Sequence, residues 1–404
     1  VNDAWQGQNQ VELLINGEDY FPRVFEAIRA ARHEVLLETF IIFEDPVGQA
    51  LQQALIEAAE RGVRIEVTAD GYGTADLSRA YIEALTRVGV RVHLFDPRPK
   101  MFGMRTNLFR RLHRKIVVVD GEVAFVGGIN FCLDHLQEFG PMAKQDYAVE
   151  VRGPVVADIH LAAMELLAHF GVQAPGAGLH PRPRPAENGR SAMLLAIRDN
   201  DDHQDDIEDQ YMAAIRDARE RLLVANAYFF PGYRLLRELR NAARRGVQVT
   251  LILQGQPDMR WVWVCGRLLY DYLLRDGVCI REYCEKPLHG KVALVDREWS
   301  TVGSSNLDPL SLSLNLEANL FIRDPAFNQR LYAHLSELAE TRCKPVTRQL
   351  LRRGYWWRAP LMFLGFHAAR HFPAVLGWFP AHRPKLATVA PEAPDTVACG
   401  SGKP

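Results

Sequence analysis

Apolar and polar positions along this chain follow a pattern that is written twice. Tyr20-Phe21-Pro22 leads into a helical stretch ending Ala27-Ile28-Arg29-Ala30-Ala31-Arg32, followed by the apolar run Val35-Leu36-Leu37-Glu38-Thr39-Phe40-Ile41-Ile42. The same order returns as Tyr211, then Ala213-Ala214-Ile215-Arg216-Asp217-Ala218-Arg219, then Leu222-Leu223-Val224-Ala225-Asn226-Ala227-Tyr228-Phe229-Phe230. Each copy continues into an amphipathic helix, with Val47, Leu51, Ala54, Leu55 and Ala58 in the first and Leu235, Leu236, Leu239, Ala242 and Ala243 in the second. Spacings of three and four put each set on one helix face. Gly62 and Gly246 then offer the left-handed conformation that ends a helix. Buried-strand runs follow at once, Val63-Arg64-Ile65-Glu66-Val67 and Val247 to Leu253. Strand, helix, strand in this order predicts a parallel or mixed sheet covered by helices.

An internal repeat of this length predicts two similar α/β lobes, each a mixed, mostly parallel β-sheet flanked by helices, packed with pseudo-two-fold symmetry around one site. The first lobe is expected over 1–170 and the second over 191–350. The Pro- and Gly-rich stretch 171–190 reads as a linker between them. Residues 351–382 form an aromatic and apolar tail, and 383–404 read as a disordered C-terminus.

With 48% hydrophobic and 24% charged residues in 404, the chain can bury a sizeable core in each lobe. The formal net charge of −1 gives no global field for nucleic acid, which argues against a nuclease. Six cysteines without paired spacing argue against a disulfide framework or a zinc site, and a reducing compartment is expected. Val1-Asn2-Asp3-Ala4-Trp5 has no signal-peptide pattern, and no run reaches the ~18–20 uninterrupted apolar residues of a spanning helix.

Candidate chemistry sits at one place in each repeat. Leu112-His113-Arg114-Lys115 runs through four apolar residues to Asp120, then Gly127-Gly128-Ile129-Asn130. Leu288-His289-Gly290-Lys291 runs likewise to Asp296, then Gly303-Ser304-Ser305-Asn306. The spacing of His, Lys, Asp, Gly and Asn is identical in both copies. A lone His-x-Lys means little; two in register within an independent repeat cannot be put down to chance.

On a strand, His113 and Lys115 share a face, as do His289 and Lys291. Asp120 and Asp296 have the opposite parity, so these members of the catalytic motif are expected to fix a strand end or turn. Two imidazoles, two ammonium groups and the carboxamides of Asn130 and Asn306, with the Ser304 hydroxyl, suit a phosphodiester. Lysines and amides would neutralise its equatorial oxygens. One His would attack phosphorus and the other would protonate the leaving alkoxide, with neither metal nor other cofactor required. Each imidazole needs a group to fix its tautomer. Asp146 is expected to orient His113, and Glu317 to orient His289. The other eleven histidines sit in no comparable pattern.

These motifs resemble the HxKx4D and GSxN signatures of the phospholipase D superfamily, with Gly128 standing where the first GSxN has Ser. Gly71-Tyr72-Gly73, Asp96-Pro97-Arg98-Pro99, Phe102 to Asn107, Asn226 to Gly232 and Asn306 to Leu312 are further similar to bacterial cardiolipin synthases of the branch without N-terminal membrane helices. The resemblance covers most of residues 10–345. It implies transfer of a phosphatidyl group from one phospholipid to a hydroxyl of phosphatidylglycerol, giving cardiolipin and glycerol. Phosphatidylglycerol is the donor it points to first, phosphatidylethanolamine next. It also implies that the first-lobe histidine is the nucleophile and that the protein works at the bacterial cell membrane, peripherally, on the cytoplasmic face.

Local composition agrees in part. Met101 to Arg111, Met259 to Val264 and the tail mix aromatic, apolar and basic residues as membrane interfaces do, although core packing would account for the tryptophans equally well. His367, Arg370, His371 and Pro373 interrupt the tail, which favours an in-plane anchor over a span. Two other enzymatic readings use the same residues. One is a hydrolase releasing phosphatidic acid; the other is a nucleic-acid phosphodiesterase, which would need a basic groove.

Overall fold

The computed structural model describes residues 4–97, 111–172, 184–256, 269–308, 311–312, 314–347, 360 and 384–389. The expectations for 101–110, 259–264 and nearly all of the 351–382 tail lie outside the described residues.

The first lobe runs β1 (Gln6–Ile15), α1 (Asn16–Ala30), β2 (Glu34–Thr39), α2 (Pro46–Glu60), β3 (Arg64–Asp70), α3 (Arg79–Arg87), β4 (Arg91–Phe95), β5 (Ile116–Val119), β6 (Val123–Gly127), β7 (Tyr147–Arg152) and α4 (Val155–His169). The second repeats it with β8 (Ser191–Arg198), α5 (Asp206–Asp217), β9 (Arg221–Asn226), α6 (Tyr233–Arg244), β10 (Gln248–Gln254), β11 (Cys279–Tyr283), β12 (Lys291–Val295), β13 (Trp299–Gly303), β14 (Glu317–Arg323) and α7 (Pro325–Thr341). Two short strands, β15 (Cys343–Pro345) and β16 (Leu386–Thr388), complete the sheet edges. Asp45 starts α2 by accepting from the N–H groups of Val47 and Gly48, with Pro46 in the first turn. Gly62 and Gly246 take φ of 88° and 94°, as a helix stop requires.

Among the described residues, sixteen strands join in one sheet of order β15-β11-β10-β9-β12-β13-β14-β8-β1-β7-β6-β5-β2-β3-β4-β16. Outside the two edge strands, the order is a palindrome about the β8–β1 junction, which is the pseudo-two-fold predicted from the repeat. The expectation of mostly parallel lobes is corrected. Only β2–β3–β4 and β9–β10–β11 pair in parallel, and every other pair is antiparallel. The βαβ units impose the parallel part, whereas the meanders β5–β6–β7 and β12–β13–β14 impose the rest. A second correction concerns the C-terminus expected to be disordered. Leu386–Thr388 forms β16, antiparallel to β4, with Thr388 Oγ1 2.9 Å from the buried His93 ring.

Three large apolar clusters set the layers. One joins α1–α3 to the outer face of the first lobe's sheet, and one does the same for α5 and α6 in the second. The third lies between the lobes, where Val126 and Val149 meet Val302 and Leu320 under α4 and α7. The lobes thus share a core instead of touching at a surface. No helix among the described residues is long and apolar enough to cross a membrane.

Candidate active site

The site lies where the carboxyl ends of the parallel strands β2 and β9 meet the starts of β5 and β12, the usual ligand position in open α/β sheets. In the first motif, His113 and Lys115 sit on an extended segment just before β5, while Lys291 opens β12. They still project together in the first lobe. The His113 ring lies 5.0 Å from the Phe40 ring, and Lys115 Nζ lies 5.4 Å from the same ring.

Single bridges stitch each motif to the other lobe. Leu112 pairs with Leu316 and Gln145 with Leu288, both in parallel. His113 N–H donates to the Leu316 carbonyl at 2.9 Å, and His289 N–H to the Gln145 carbonyl at 2.8 Å. Each histidine therefore lies beside the residue preceding the other lobe's acid. His113 Nδ1 is 3.0 Å from Glu317 Oε2, and His289 Nδ1 is 2.6 Å from Asp146 Oδ2. The expected pairing is corrected: the acids are the right ones, but they cross between lobes. With Nδ1 committed to a carboxylate, each ring presents Nε2 to whatever occupies the site.

Both lysines are buried and donate to the backbone carbonyl of their own motif histidine, Lys115 Nζ at 2.7 Å. Burial lowers Lys115 to about 7 and Lys291 to about 8, although Glu317 and Asp146 pull the other way. Burial likewise takes His113 down to about 4 against the opposing pull of Glu317, and His289 well below its ordinary value. Glu317 is held below the usual carboxylate range. Burial would raise it, but His113, Lys115 and the Ser304 hydroxyl prevail. Asp146 goes the other way, raised by burial beyond what Lys291 and His135 offset. Burial thus lowers the proton affinity of both imidazoles and both ammonium groups at the site.

The remaining expectations divide. Asp120 and Asp296 stay clear of the motif lysines. Asp120 accepts from the N–H groups of Arg32, His33 and Glu34, and Asp296 from those of Arg219, Glu220 and Arg221. Ser304, expected on phosphate, instead bonds Glu317 and accepts the Ala318 N–H at 3.0 Å. Asn130 is buried with its Oδ1 taken by the Ile41 N–H at 3.3 Å, while Asn306 Oδ1 is buried without a hydrogen-bond partner.

One residue was missed. His135 is fully buried, accepts the Asn130 N–H on Nε2, and turns Nδ1 towards Asp146 Oδ2 at 3.6 Å, its ring edge-on to His289. It faces Asp146 as the Ser304 hydroxyl faces Glu317, without closing a hydrogen bond. A Cβ on Gly128 would lie 2.3 Å from Asp146 Oδ1, so the departure from GSxN is what lets Asp146 approach. Only the departure at Gly128 could have flagged it. His135, Asp146 and His289 are close enough to hold a metal ion, as are Cys132, Asp134 and His135. A metal at the first trio would share His289 Nδ1 with Lys291 Nζ, 3.0 Å away, and in the second Asp134 is already paired with Lys144. Neither trio is a ready cation site.

Comparison with known proteins agrees with this geometry. The family model described as "Cardiolipin synthase, PLD-like domain" matches residues 24–151 and 211–339, one match per lobe. Cardiolipin synthase B of Salmonella typhi is 53% identical over 394 residues, covering 96% of this chain and 95% of that protein. Cardiolipin synthase B of Escherichia coli (strain K12) is 51% identical over 397 residues, covering 98% and 96%. Among solved structures, phosphatidylserine synthase of Haemophilus influenzae Rd KW20 superposes with a TM-score of 0.65 at 12% identity, covering 91% of this chain and 96% of that one. That last likeness concerns the fold alone. Two matched repeats and majority identity over nearly the whole length make this chain a member of the PLD-like cardiolipin synthase family.

Proposed function

We propose that the protein is a cardiolipin-forming phosphatidyltransferase that works through a phosphatidyl-histidine. The observation that carries the reading is the crossed pair His113–Glu317 and His289–Asp146, which leaves two Nε2 atoms beside two buried ammonium groups. In the first half-reaction His113 Nε2 attacks the phosphorus of a donor phosphatidylglycerol. The P–O bond to the headgroup breaks, and His289, protonated, gives its proton to the leaving alkoxide so that glycerol departs. In the second, a hydroxyl of another phosphatidylglycerol attacks phosphorus, the P–N bond breaks, and His289 recovers the proton. Lys115 and Lys291, with the amide groups of Asn130 and Asn306, hold the non-bridging oxygens. The incoming phosphodiester anion restores the proton affinity that burial removes from these groups, so His289 gains its proton together with the substrate.

The same reading makes the protein peripheral to the cytoplasmic face of the membrane. Support is compositional: residues 355–357 are Tyr-Trp-Trp and the following stretch is rich in Leu, Phe, Met and Trp. Purified protein incubated with isotopically labelled phosphatidylglycerol in bilayers, analysed by mass spectrometry beside His113→Ala, tests the activity. Labelled cardiolipin and glycerol, absent in the variant, are expected. Phosphatidic acid alone would make the enzyme a hydrolase.

A further inference from the structure

Transfer between two molecules of phosphatidylglycerol brings two phosphodiesters to one site. The motif lysines serve the one that reacts; the acceptor's own phosphodiester stays intact and still needs a counter-charge. We infer that Arg111 supplies it, holding the phosphodiester of the acceptor lipid on the first-lobe side of the site.

Arg111 stands two residues before His113 and stacks on aromatic rings at the ends of β2 and β3. Its Cζ is 4.2 Å from the Tyr72 ring centroid and 5.6 Å from that of Phe40. Phe40 is the ring against which His113 and Lys115 also lie, so the guanidinium is one aromatic ring away from the reacting imidazole. Its Nε is buried without a hydrogen-bond partner, and Asp70 is the carboxylate among the described residues on which its charge is seen to act. The neighbouring Asp70 gives its oxygens to the N–H groups of Tyr72, Gly73 and Leu112 instead. A planar guanidinium held by stacking, with its Nε donor uncommitted, suits a phosphodiester. The second lobe has no counterpart, because the residue two before His289 is Pro287. Arg111 therefore adds to the near-symmetric centre a first-lobe cation that the second motif does not repeat. That side is where a second anion belongs.

The proposal rests on the transferase reading above, and the test separates the two. Phosphatidylglycerol vesicles containing labelled free glycerol report two reactions at once. One is cardiolipin formation, with an anionic acceptor; the other is label entering phosphatidylglycerol, with a neutral acceptor. Arg111→Gln is expected to lower the ratio of cardiolipin to exchanged glycerol by tenfold or more. Equal loss of both reactions overturns the acceptor role. Should the variant fold poorly, the wild-type protein decides. Glycerophosphoglycerol should be used as acceptor at least tenfold better than glycerol at equal concentration, and no preference between them overturns the proposal. A wild-type protein that exchanges glycerol yet forms no cardiolipin overturns the functional reading, and the proposal with it.

Discussion

At the scale of single residues, the two orienting acids are supported differently, and Gly128 is where the difference arises. Glu317 takes a hydroxyl from Ser304; Asp146 takes the His135 ring, in space that only a glycine at 128 leaves open. Gly128→Ser would restore the family's GSxN signature, and its Cβ would meet the carboxylate of Asp146. We expect kcat to fall at least tenfold with the fold intact, measured by cardiolipin formation and circular dichroism. Unchanged turnover would mean that Asp146 has room to move. His135→Gln keeps an acceptor for the Asn130 N–H and a donor for Asp146, so it should retain most activity where His135→Leu loses it. That His113 and Lys115 would face one site was legible in the sequence, because identical spacing in two repeats put them on one face. His135 was not, because nothing in its local sequence separates it from a buried structural histidine.

Among the elements, the motif aspartates act as strand clamps. Asp120 and Asp296 take φ of 53° and 50°, and each gathers three backbone N–H groups from the start of the neighbouring strand, β2 or β9. Asp120→Ala would orphan those donors and place a Cβ residue without a polar side chain in the left-handed region. The cost is about 1–3 kcal/mol, readable as a lower urea midpoint, with turnover per folded molecule reduced far less than by His113→Ala. Opposite parity along the apolar run already pointed to this role. The sheet's dominant antiparallel pairing was harder to see. The βαβ units announce themselves through helix periodicity, whereas β5–β6–β7 is signalled only by apolar runs broken at Asp120-Gly121, a hairpin dipeptide. Crossing of the acids was hidden for a related reason. Glu317 is 204 residues from His113, and only the bridge between Leu112 and Leu316 brings them together.

For the whole molecule, two lobes sharing one core make one titrating unit. The sign of its pH dependence follows from the cations. Lys115 and Lys291 carry charge below about 7 and about 8 respectively and lose it above. His113 is a free base above about 4. Loss of the lysine charge should lower kcat/KM as pH rises through 7 to 8, on top of the fall set by His289, which must take up a proton as substrate binds. A profile still rising past pH 9 would show that the lysines keep ordinary proton affinities. Since neither histidine has its carboxylate within its own lobe, neither lobe alone should show turnover. Rapid quench of the reaction with phosphatidylglycerol, followed by peptide mapping of the trapped protein, shows whether both lobes build one covalent site. Phosphatidyl-modified His113 is expected in the wild type, and at least a hundredfold less of it in Glu317→Gln. An adduct on neither histidine, or one formed equally fast without the Glu317 carboxylate, would rule out a covalent site shared by the lobes.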